Sequence, residues 1–497
     1  MRQRTTFFHK NEHGIEPSAL QIASRSISGP DILAVREDRV TLALEELPLE
    51  LQEVLRESQE LYIRWNAPLA YETIGPWNSR LPPGLHVFYT PGQGDNTNGE
   101  LLCRLLRTAF GALDCSTPAE SFTRLPNDRF SHSTAYQYYQ PLNNLSHFST
   151  YTEQYACVSP SPECEARTKR LNSANALDFS YDTISHVVKV TTLGPHEHQG
   201  FSIDSHPDHR VEVGIMTPDT PPHLEPYEFG VTGLLTVLGE NKKPSPTLFS
   251  FPSRHQRAGS SFSSSFLRPW GLHPTMQLRL SSSKPPMEDA YCSPHAYFTL
   301  PRTIFADKYQ LDDELFLSSK NLTSLRYISQ PVDLEAPDYS MKLWGSSVLL
   351  ELQPPSGTDD QPWTAEIPLH LRYLAPAEHG YANITVPSPA VFWACAAEDG
   401  TKFANSPFDR VNLGYDGLFG PRTLFWHVDP TAEAGETLEH SILVPVLDLG
   451  KSEWVATGTF VVVLLGFAFV VWKLVAVYMR TGYGSPKAEK EGEKKKQ

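Results

Sequence analysis

The chain has 497 residues, of which 40% are apolar, and a formal net charge of −15. This length and apolar content suffice for two or three domains with real cores and exclude a disordered chain. The acidic balance argues against nucleic acid as a partner, because binding phosphates requires clustered Lys and Arg.

Residues 1–250 are predicted to form a mixed, β-rich N-terminal region with a few helices. A proline near its start and leucines spaced along one face predict a helix over residues 47–65. The run LHVFYT at residues 85–90 predicts a strand, and residues 100–113 predict a second helix. The glycines in the loop between them do not have the spacing that cradles phosphates, so an ordinary turn is favoured over a nucleotide site.

Three runs rich in β-branched residues, at 185–193, 211–216 and 229–239, predict strands. Between the first two runs lie six potential metal ligands: His196, Glu197, His198, His206, Asp208 and His209. A His-x-His pair with a third ligand could bind zinc and would suit a hydrolase. Because this stretch lacks cysteine and matches no standard zinc spacing, a surface turn is favoured and no metal or other cofactor is predicted.

Residues 251–290 are rich in Ser, Arg and Pro and are predicted to form a linker. A second β-rich domain is predicted over residues 291–450. Within it, the alternation of EIPLHLRY predicts a strand with Ile367, Leu369, Leu371 and Tyr373 buried and with Glu366, Pro368, His370 and Arg372 outward. The proline indicates an edge position or the start of the strand.

Further short runs continue this pattern. In YANITV, alternation predicts that Ile384 is buried and Asn383 is exposed. In VFWAC, it places Trp393 on the same face as Val391 and Cys395. With SSVLLEL, TLFWHV and SILVPVL, these runs predict a mainly β fold, an antiparallel β-sandwich.

The longest apolar stretch lies near the C-terminus, at residues 454–472, where nineteen consecutive residues carry no charge. As a helix it would span roughly 28 Å, about the hydrocarbon thickness of a bilayer. We predict one transmembrane helix over residues 454–478, followed by a basic tail over residues 479–497.

Charge asymmetry predicts the orientation of this span. Seven Lys and Arg residues follow Trp472, whereas the twenty residues before Trp454 carry only Lys451. The positive-inside rule places the tail in the cytosol and the rest of the chain in the lumen. Since the first residues contain no apolar run of signal-peptide length, a tail-anchored protein with a cytosolic domain remains the alternative.

The six cysteines form an even set that suits an oxidising lumen: Cys103, Cys115, Cys157, Cys164, Cys292 and Cys395. Six cysteines allow fifteen pairings, so the connectivity stays open. Cys157 and Cys164 bracket a short proline-containing loop and are the preferred bridge. Reduced, buried cysteines are the alternative elsewhere in the chain.

Three stretches followed by one late span resemble the PIG-X family: LPRTIFADKYQL, IPLHLRY and VPSPAVFWAC. The resemblance covers about residues 290–479, and the long N-terminal region is similar to the fungal branch, known as the protease B non-derepressible protein. The residues that carry the motif are Leu369, His370, Arg372, Tyr373, Pro389, Phe392, Trp393 and Cys395.

The resemblance implies a glycosylated type III protein of the endoplasmic reticulum membrane with a lumenal N-terminal domain. Its implied partners are membrane lipid and the multi-spanning mannosyltransferase that adds the first mannose to GPI-anchor precursors. The implied role is non-catalytic stabilisation of that enzyme, with a possible wider chaperone-like role and no small-molecule substrate or cofactor. Asn144, Asn321 and Asn383 begin glycosylation sequons, and the terminal KKKQ resembles a dilysine retrieval signal.

Standard catalytic motifs do not occur in this sequence, neither the Gly-x-Ser-x-Gly elbow nor His-Glu-x-x-His nor Cys-x-x-Cys. Three hypotheses remain. The first is an assembly factor for a multi-spanning enzyme. The second is a membrane-anchored hydrolase that uses the His196 to His209 stretch. The third is a single-span quality-control or cargo receptor.

Overall fold

The computed structural model describes residues 1–10, 14–72, 74–92, 99–126, 135–156, 162–205, 209–220, 223–225, 227–329, 333–357, 360–398, 403 and 406–482. Residues 1–373 and 384–442 form one compact unit. Residues 374–383 and 443–497 form the second unit, which includes the C-terminal helix. The KKKQ sequence lies outside the described residues.

Strands dominate the first part of the chain. They are β1 (Arg2–Phe8), β2 (Gln21–Ile22), β3 (Ser26–Ala43), β4 (Ser58–Asn66), β5 (Gly84–Pro91), β6 (Thr123–Arg124), β7 (Tyr136–Gln140), β8 (Ala176–Asp182), β9 (Val187–Asp204), β10 (Arg210–Asp219), β11 (Glu228–Val237) and β12 (Ser245–Pro252). They form one 12-stranded sheet with the order β12-β11-β10-β1-β3-β9-β8-β4-β5-β7-β6, and β2 pairs with β3. The predicted strands at 85–90, 185–193, 211–216 and 229–239 are therefore confirmed.

The later strands are β13 (His255–Phe266), β14 (Thr275–Leu280), β15 (Cys292–Pro301), β16 (Ile304–Phe305), β17 (Leu322–Ile328), β18 (Gly345–Leu352), β19 (Trp363–Pro368), β20 (His370–Leu371), β21 (Tyr381–Pro387), β22 (Ala390–Ala396), β23 (Thr423–Pro430) and β24 (Glu439–Pro445). Eight of them form a sheet with the order β17-β18-β15-β22-β23-β13-β14-β19, and β16 pairs with β20. The mainly β fold is confirmed. The pairing is not wholly antiparallel, because β1 pairs with β10 and β13 pairs with β23 in parallel.

The helices are α1 (Leu49–Arg56), α2 (Glu100–Phe110), α3 (Pro118–Ser121), α4 (Ser146–Ala156), α5 (Pro162–Asn172), α6 (Glu314–Ser319) and α7 (Leu449–Thr481). The predicted helix over residues 100–113 is confirmed. The predicted helix over residues 47–65 is wrong in its second half, which is strand β4. Because β4 lies between β5 and β8 and is buried from Leu61 to its end, its aromatic and β-branched side chains pack better on a sheet than on a helix.

The linker predicted over residues 251–290 is wrong, because β13 and β14 lie within it. β13 is an inner strand between β23 and β14. Phe262, Met276, Leu278 and Leu280 point into the core, whereas the serines after Phe262 lie at half-buried or exposed positions. Small Ser side chains fit such positions, so a Ser-rich composition alone does not indicate a linker.

Helix α7 confirms the predicted membrane span. In the described part of the chain it is the one helix long and apolar enough to cross a bilayer, over Leu449–Arg480, with a mean hydropathy of 2.6 and no buried part in its most apolar stretch. Asp448 caps its start by accepting a hydrogen bond of 2.8 Å from the Gly450 backbone N–H. Since other protein covers none of that stretch, lipid or a partner's helices must solvate it.

An ionic network joins the two large sheets inside the first unit. Asp178 of β8 accepts hydrogen bonds from Arg64 of β4 (3.0 Å) and from Arg410 (2.8 Å), which belongs to the connection between β22 and β23. The neighbouring Asp409 accepts from the Ser253 hydroxyl and from the Arg254 backbone N–H, both at 2.7 Å. Burial raises the pKa of Asp409 to about 6. These contacts fix the sheets against each other, so the surfaces of both sheets keep a defined geometry.

Candidate interaction surface

The motif stretch LHLRY leaves the eight-stranded sheet at its edge. β19 is the last strand in that sheet, so the predicted edge position is confirmed, but Pro368 ends the strand rather than starting it. The chain then runs along residues 272–274, where the Leu369 backbone N–H donates to the Pro274 carbonyl and the Leu371 N–H donates to the Leu272 carbonyl, both at 2.9 Å. β20 next pairs with β16. The single strand predicted for EIPLHLRY is therefore two short strands, β19 and β20, which belong to two different sheets.

His370 lies at the centre of this turn. Its Nδ1 is 2.8 Å from His273 Nδ1, its Nε2 is 3.0 Å from Gln310 Oε1, and its ring stacks on Phe305 with centroids 5.4 Å apart. A carboxamide oxygen only accepts, so Nε2 of the neutral ring carries the proton and Nδ1 accepts from His273. Desolvation, together with the neighbouring His273, lowers the pKa of His370. The uncharged ring therefore orients both neighbours.

The predicted positions of Arg372 and Tyr373 are reversed in the structure. Arg372 is buried, with its guanidinium 4.5 Å from the Phe305 ring centroid and an N–H donating to the Ala336 carbonyl at 2.8 Å. Tyr373 is 70% exposed. The break between β19 and β20 ends the two-residue period on which the prediction depended. Pro368, predicted outward, is also buried, whereas Leu369 is buried as predicted.

Large side chains surround the two histidines and are exposed to solvent. We define the motif surface as His273, His370 and the exposed Leu272, Tyr309, Tyr339 and Tyr373, whose exposed fractions are 50%, 68%, 67% and 70%. Gln310, the residue after Tyr309, contacts His370, and the Asp338 backbone N–H donates to the Tyr373 carbonyl. Exposed tyrosines beside fixed polar groups are typical of the centres of protein interfaces.

The motif surface presents groups that can bind a partner. Among the described residues, no group of three His, Cys, Asp or Glu side chains is arranged to hold a metal ion. Arg372 is cationic but stacks beneath the surface, and burial lowers its pKa without removing its charge. The arrangement can present tyrosine hydroxyls, aromatic faces and one imidazole pair to a partner.

The second motif stretch, on β22, is part of the core. Phe392 is fully buried and packs against the rings of Tyr415, Phe419 and Phe425 at centroid distances of 4.7, 5.9 and 5.3 Å. Trp393 is 2% exposed, as the alternation predicted, and Pro389 is also buried. β22 lies between β15 and β23, and its consecutive residues from Ala390 to Cys395 are all buried, so both of its faces are covered. These motif residues hold the sheet together and cannot touch a partner.

The structure pairs cysteines that the sequence left open. Cys292 of β15 lies opposite Cys395 of β22 and forms a disulfide with it, and Cys103 of α2 bonds to Cys115. Of the preferred Cys157–Cys164 bridge, Cys157 and the Cys164 side chain lie outside the described residues. No sequence signal indicated the two observed pairs. Strand register brings Cys292 to Cys395, and the turn after α2 brings Cys115 to Cys103.

Among the described residues, the histidines of this stretch do not come together as a site. His196 and His198 lie in the 18-residue strand β9 rather than in a turn, and His206 and Asp208 lie outside the described residues. His196 lies beside Val35 of β3, which pairs with Phe8 at the end of β1. His209 lies at the other end of β1, because the next residue, Arg210, pairs with Arg2. Six residues of strand β1, roughly 20 Å, therefore separate the two ends. His196 Nδ1 instead contacts Glu72 at 2.7 Å, and Glu197 is exposed.

The three sequon asparagines are exposed but make different contacts. Asn144 Oδ1 accepts from the Ser146 hydroxyl (2.6 Å) and backbone N–H (3.0 Å) at the start of α4, which leaves its Nδ2 free of these contacts. Asn321 Nδ2 donates to the Thr364 carbonyl at 2.8 Å. Asn383 lies on β21 with its neighbour Ile384 buried, as the alternation predicted. Occupancy of the three sites remains a prediction.

Comparison with known proteins gives one family. The family profile described as PIG-X / PBN1 matches residues 269–475, which contain the whole motif surface and most of α7. The chain is 58% identical to "Protein pbn1" of Neurospora crassa over 485 residues, with 97% of each chain covered. It is 46% identical to "Protein PBN1" of Gibberella zeae over the full length of both chains, and 43% identical to "Protein pbn1" of Emericella nidulans with 97% of each covered.

Proposed function

This chain belongs to the PIG-X/PBN1 family, and from that premise we propose that it stabilises the multi-spanning mannosyltransferase that adds the first mannose to GPI-anchor precursors. Family membership supports an accessory role in GPI-anchor biosynthesis rather than a catalytic one. The apolar helix α7 indicates a single-pass membrane protein. The finer assignment, to one enzyme and one step, is our proposal.

The motif surface is the observation that carries this proposal. Its exposed tyrosines cost free energy in water unless a partner covers them, and the family profile spans all of them. Beneath them, Arg372 and Phe305 hold the chain in one conformation, so little ordering entropy is lost on binding. We propose that this surface binds the lumenal side of the enzyme while α7 packs against its membrane helices.

We further propose that residues 1 to about 450 lie in the lumen of the endoplasmic reticulum and that the basic tail lies in the cytosol. The Lys and Arg bias after α7 supports this orientation. The two disulfides also favour an oxidising compartment.

Endoglycosidase H tests the orientation. We expect the enzyme to increase the mobility of the protein, and we expect Asn→Gln changes at Asn144, Asn321 and Asn383 together to abolish that shift. An unglycosylated protein whose large domain is digested by protease added outside intact microsomes would support the tail-anchored alternative instead.

Affinity purification from detergent tests the partner. We expect one dominant co-purifying protein with many spans, and we expect depletion of this chain to lower the amount of that enzyme and to stop precursors before the first mannose. Overexpression of the enzyme should restore part of the activity, because a non-catalytic subunit contributes stability alone. Co-purification of many unrelated clients without a dominant one would favour a quality-control receptor.

A further inference from the structure

In the described part of the chain, no strand pairs with the outer edge of the large sheet along β12. β12 is the end strand of the 12-stranded sheet and pairs on its inner side with β11. Leu248 is 63% exposed and the adjacent Phe249 is 41% exposed. Consecutive strand residues point to opposite faces, so both faces of β12 are uncovered at this point. The strand also carries no charged side chain.

The other three ends of the two large sheets are protected. β6, at the far end of the same sheet, has only two residues. β17 is interrupted by two register irregularities. The outer side of β19 is capped, because the Glu366 N–H donates to the Lys320 carbonyl and Asn321 Nδ2 donates to the Thr364 carbonyl. Proteins normally protect edges in these ways. On β12, only Pro246 and Pro252 near its two ends do so.

Charges flank the two ends of β12 with opposite sign. The exposed Lys242 and Lys243 precede its start, and neither has an ion-pair partner in the described part of the chain. At its other end, Glu228 lies opposite Pro252 on the neighbouring strand, and Glu225 is exposed close by. An antiparallel pairing of two β12 strands related by a two-fold axis would bring the lysines of each copy to the glutamates of the other.

We propose that β12 binds β12 of a second copy of this chain and so forms a two-fold symmetric dimer through one continuous sheet. Backbone hydrogen bonds join the two edges, and Leu248 and Phe249 each gain a cross-strand neighbour that reduces their exposure to water. The two charge pairs set the antiparallel direction. The net charge of −15 on each copy opposes association weakly, because physiological salt screens charges more than about 8 Å apart. The contact is small, so a dissociation constant in the micromolar range is expected.

The test uses the full-length protein in detergent and measures the mass of the protein component across a concentration series. We expect wild-type protein to become dimeric at micromolar concentration. The Leu248→Lys, Phe249→Lys double variant should dissociate at least about tenfold more easily. The Ile184→Lys variant is the matched control, because Ile184 is 92% exposed in the turn between β8 and β9.

Charge exchange distinguishes this contact from a folding defect. The Lys242→Glu, Lys243→Glu variant carries glutamates at both ends of β12, and the Glu225→Lys, Glu228→Lys variant carries lysines at both ends. Each should be monomeric alone, and an equimolar mixture should form a dimer. A wild-type protein that stays monomeric at ~50 µM overturns the proposal. Binding of a separate extended peptide to the edge would not rescue it, because the proposed occupant is a second copy of this chain. Dimers of either charge variant alone, as stable as wild type, also overturn it.

Discussion

The two stretches of the family motif were both predicted to be strands, but they occupy opposite environments. PxxFWxC lies on β22, buried on both faces and bonded to β15 by a disulfide. LHLRY lies where a sheet ends, and it presents His370 and Tyr373 to solvent. The difference teaches that one motif stretch supports the fold from inside, whereas the other lies where a partner could contact it. We expect changes on β22 to unfold the protein, and changes on the motif surface to leave it folded but without its partner.

The largest effect is expected from emptying the core at β22. Trp393→Ala or Phe392→Ala removes a buried aromatic side chain and should lower the free energy of unfolding by about 3–5 kcal/mol. This is a large fraction of the stability of an ordinary domain. Thermal denaturation of the purified protein measures it, and Tyr373→Ala is the control. A Trp393→Ala protein with the wild-type melting temperature would contradict the burial of this strand.

Removing the disulfide on the same strand should come next. Cys292 and Cys395 are 103 residues apart, so replacing both with Ser releases a long loop in the unfolded state and should cost about 2–5 kcal/mol. The Cys103–Cys115 pair closes a separation of only 12 residues. Loop-entropy arithmetic makes its loss about 2 kcal/mol less costly. Denaturant unfolding of the two double variants compares them, and the opposite order would refute the entropic explanation.

Low pH should destabilise the core through its buried histidines. Burial lowers the pKa of His427 to about 3 and that of His295 to about 4, against 6.5 in the unfolded chain. Their contribution is complete above pH 6.5 and is lost as the pH falls, at about 1.4 kcal/mol per pH unit for each group. Asp409 acts oppositely, because its raised pKa stabilises the fold below about pH 4 and that contribution is lost as the pH rises through 6.

The loss of unfolding free energy from two histidines exceeds the gain from one carboxyl. We therefore expect the melting temperature to fall between pH 7 and pH 5. His295→Gln should flatten this dependence, since a glutamine side chain does not titrate. A melting temperature that rises over this interval, or a His295→Gln profile parallel to that of wild type, would show that the buried histidines are not the cause.

Local pattern was enough to predict much of the fold. The β-branched and aromatic runs that became β9, β10, β11, β18, β22 and β23 were recognisable, as was α7, because each depends on its own residues. The alternation in VFWAC predicted the burial of Trp393, and Pro368 predicted an edge strand. These features need no knowledge of distant residues.

What the sequence could not predict depends on contacts between distant residues. Strand register, which pairs Cys292 with Cys395 and separates His196 from His209, is set by the whole sheet. The prediction that Arg372 points outward failed because β19 ends at Pro368, four residues before Arg372, and because the guanidinium packs on the Phe305 ring. The ion pair of Arg410 with Asp178 likewise could not be predicted, because the two residues meet only in the folded chain.

The most direct test of the account measures partner binding and stability on the same variants. We predict that Tyr309→Ala, Tyr373→Ala protein changes the free energy of unfolding by less than about 0.5 kcal/mol for each site yet no longer co-purifies the mannosyltransferase. Tyr291→Ala is the matched control, because Tyr291 is 76% exposed. It lies just before β15, at the end of that strand farther from β16. It should retain the enzyme. Full recovery of the enzyme with the Tyr309, Tyr373 variant would contradict the assignment of the motif surface as the binding site.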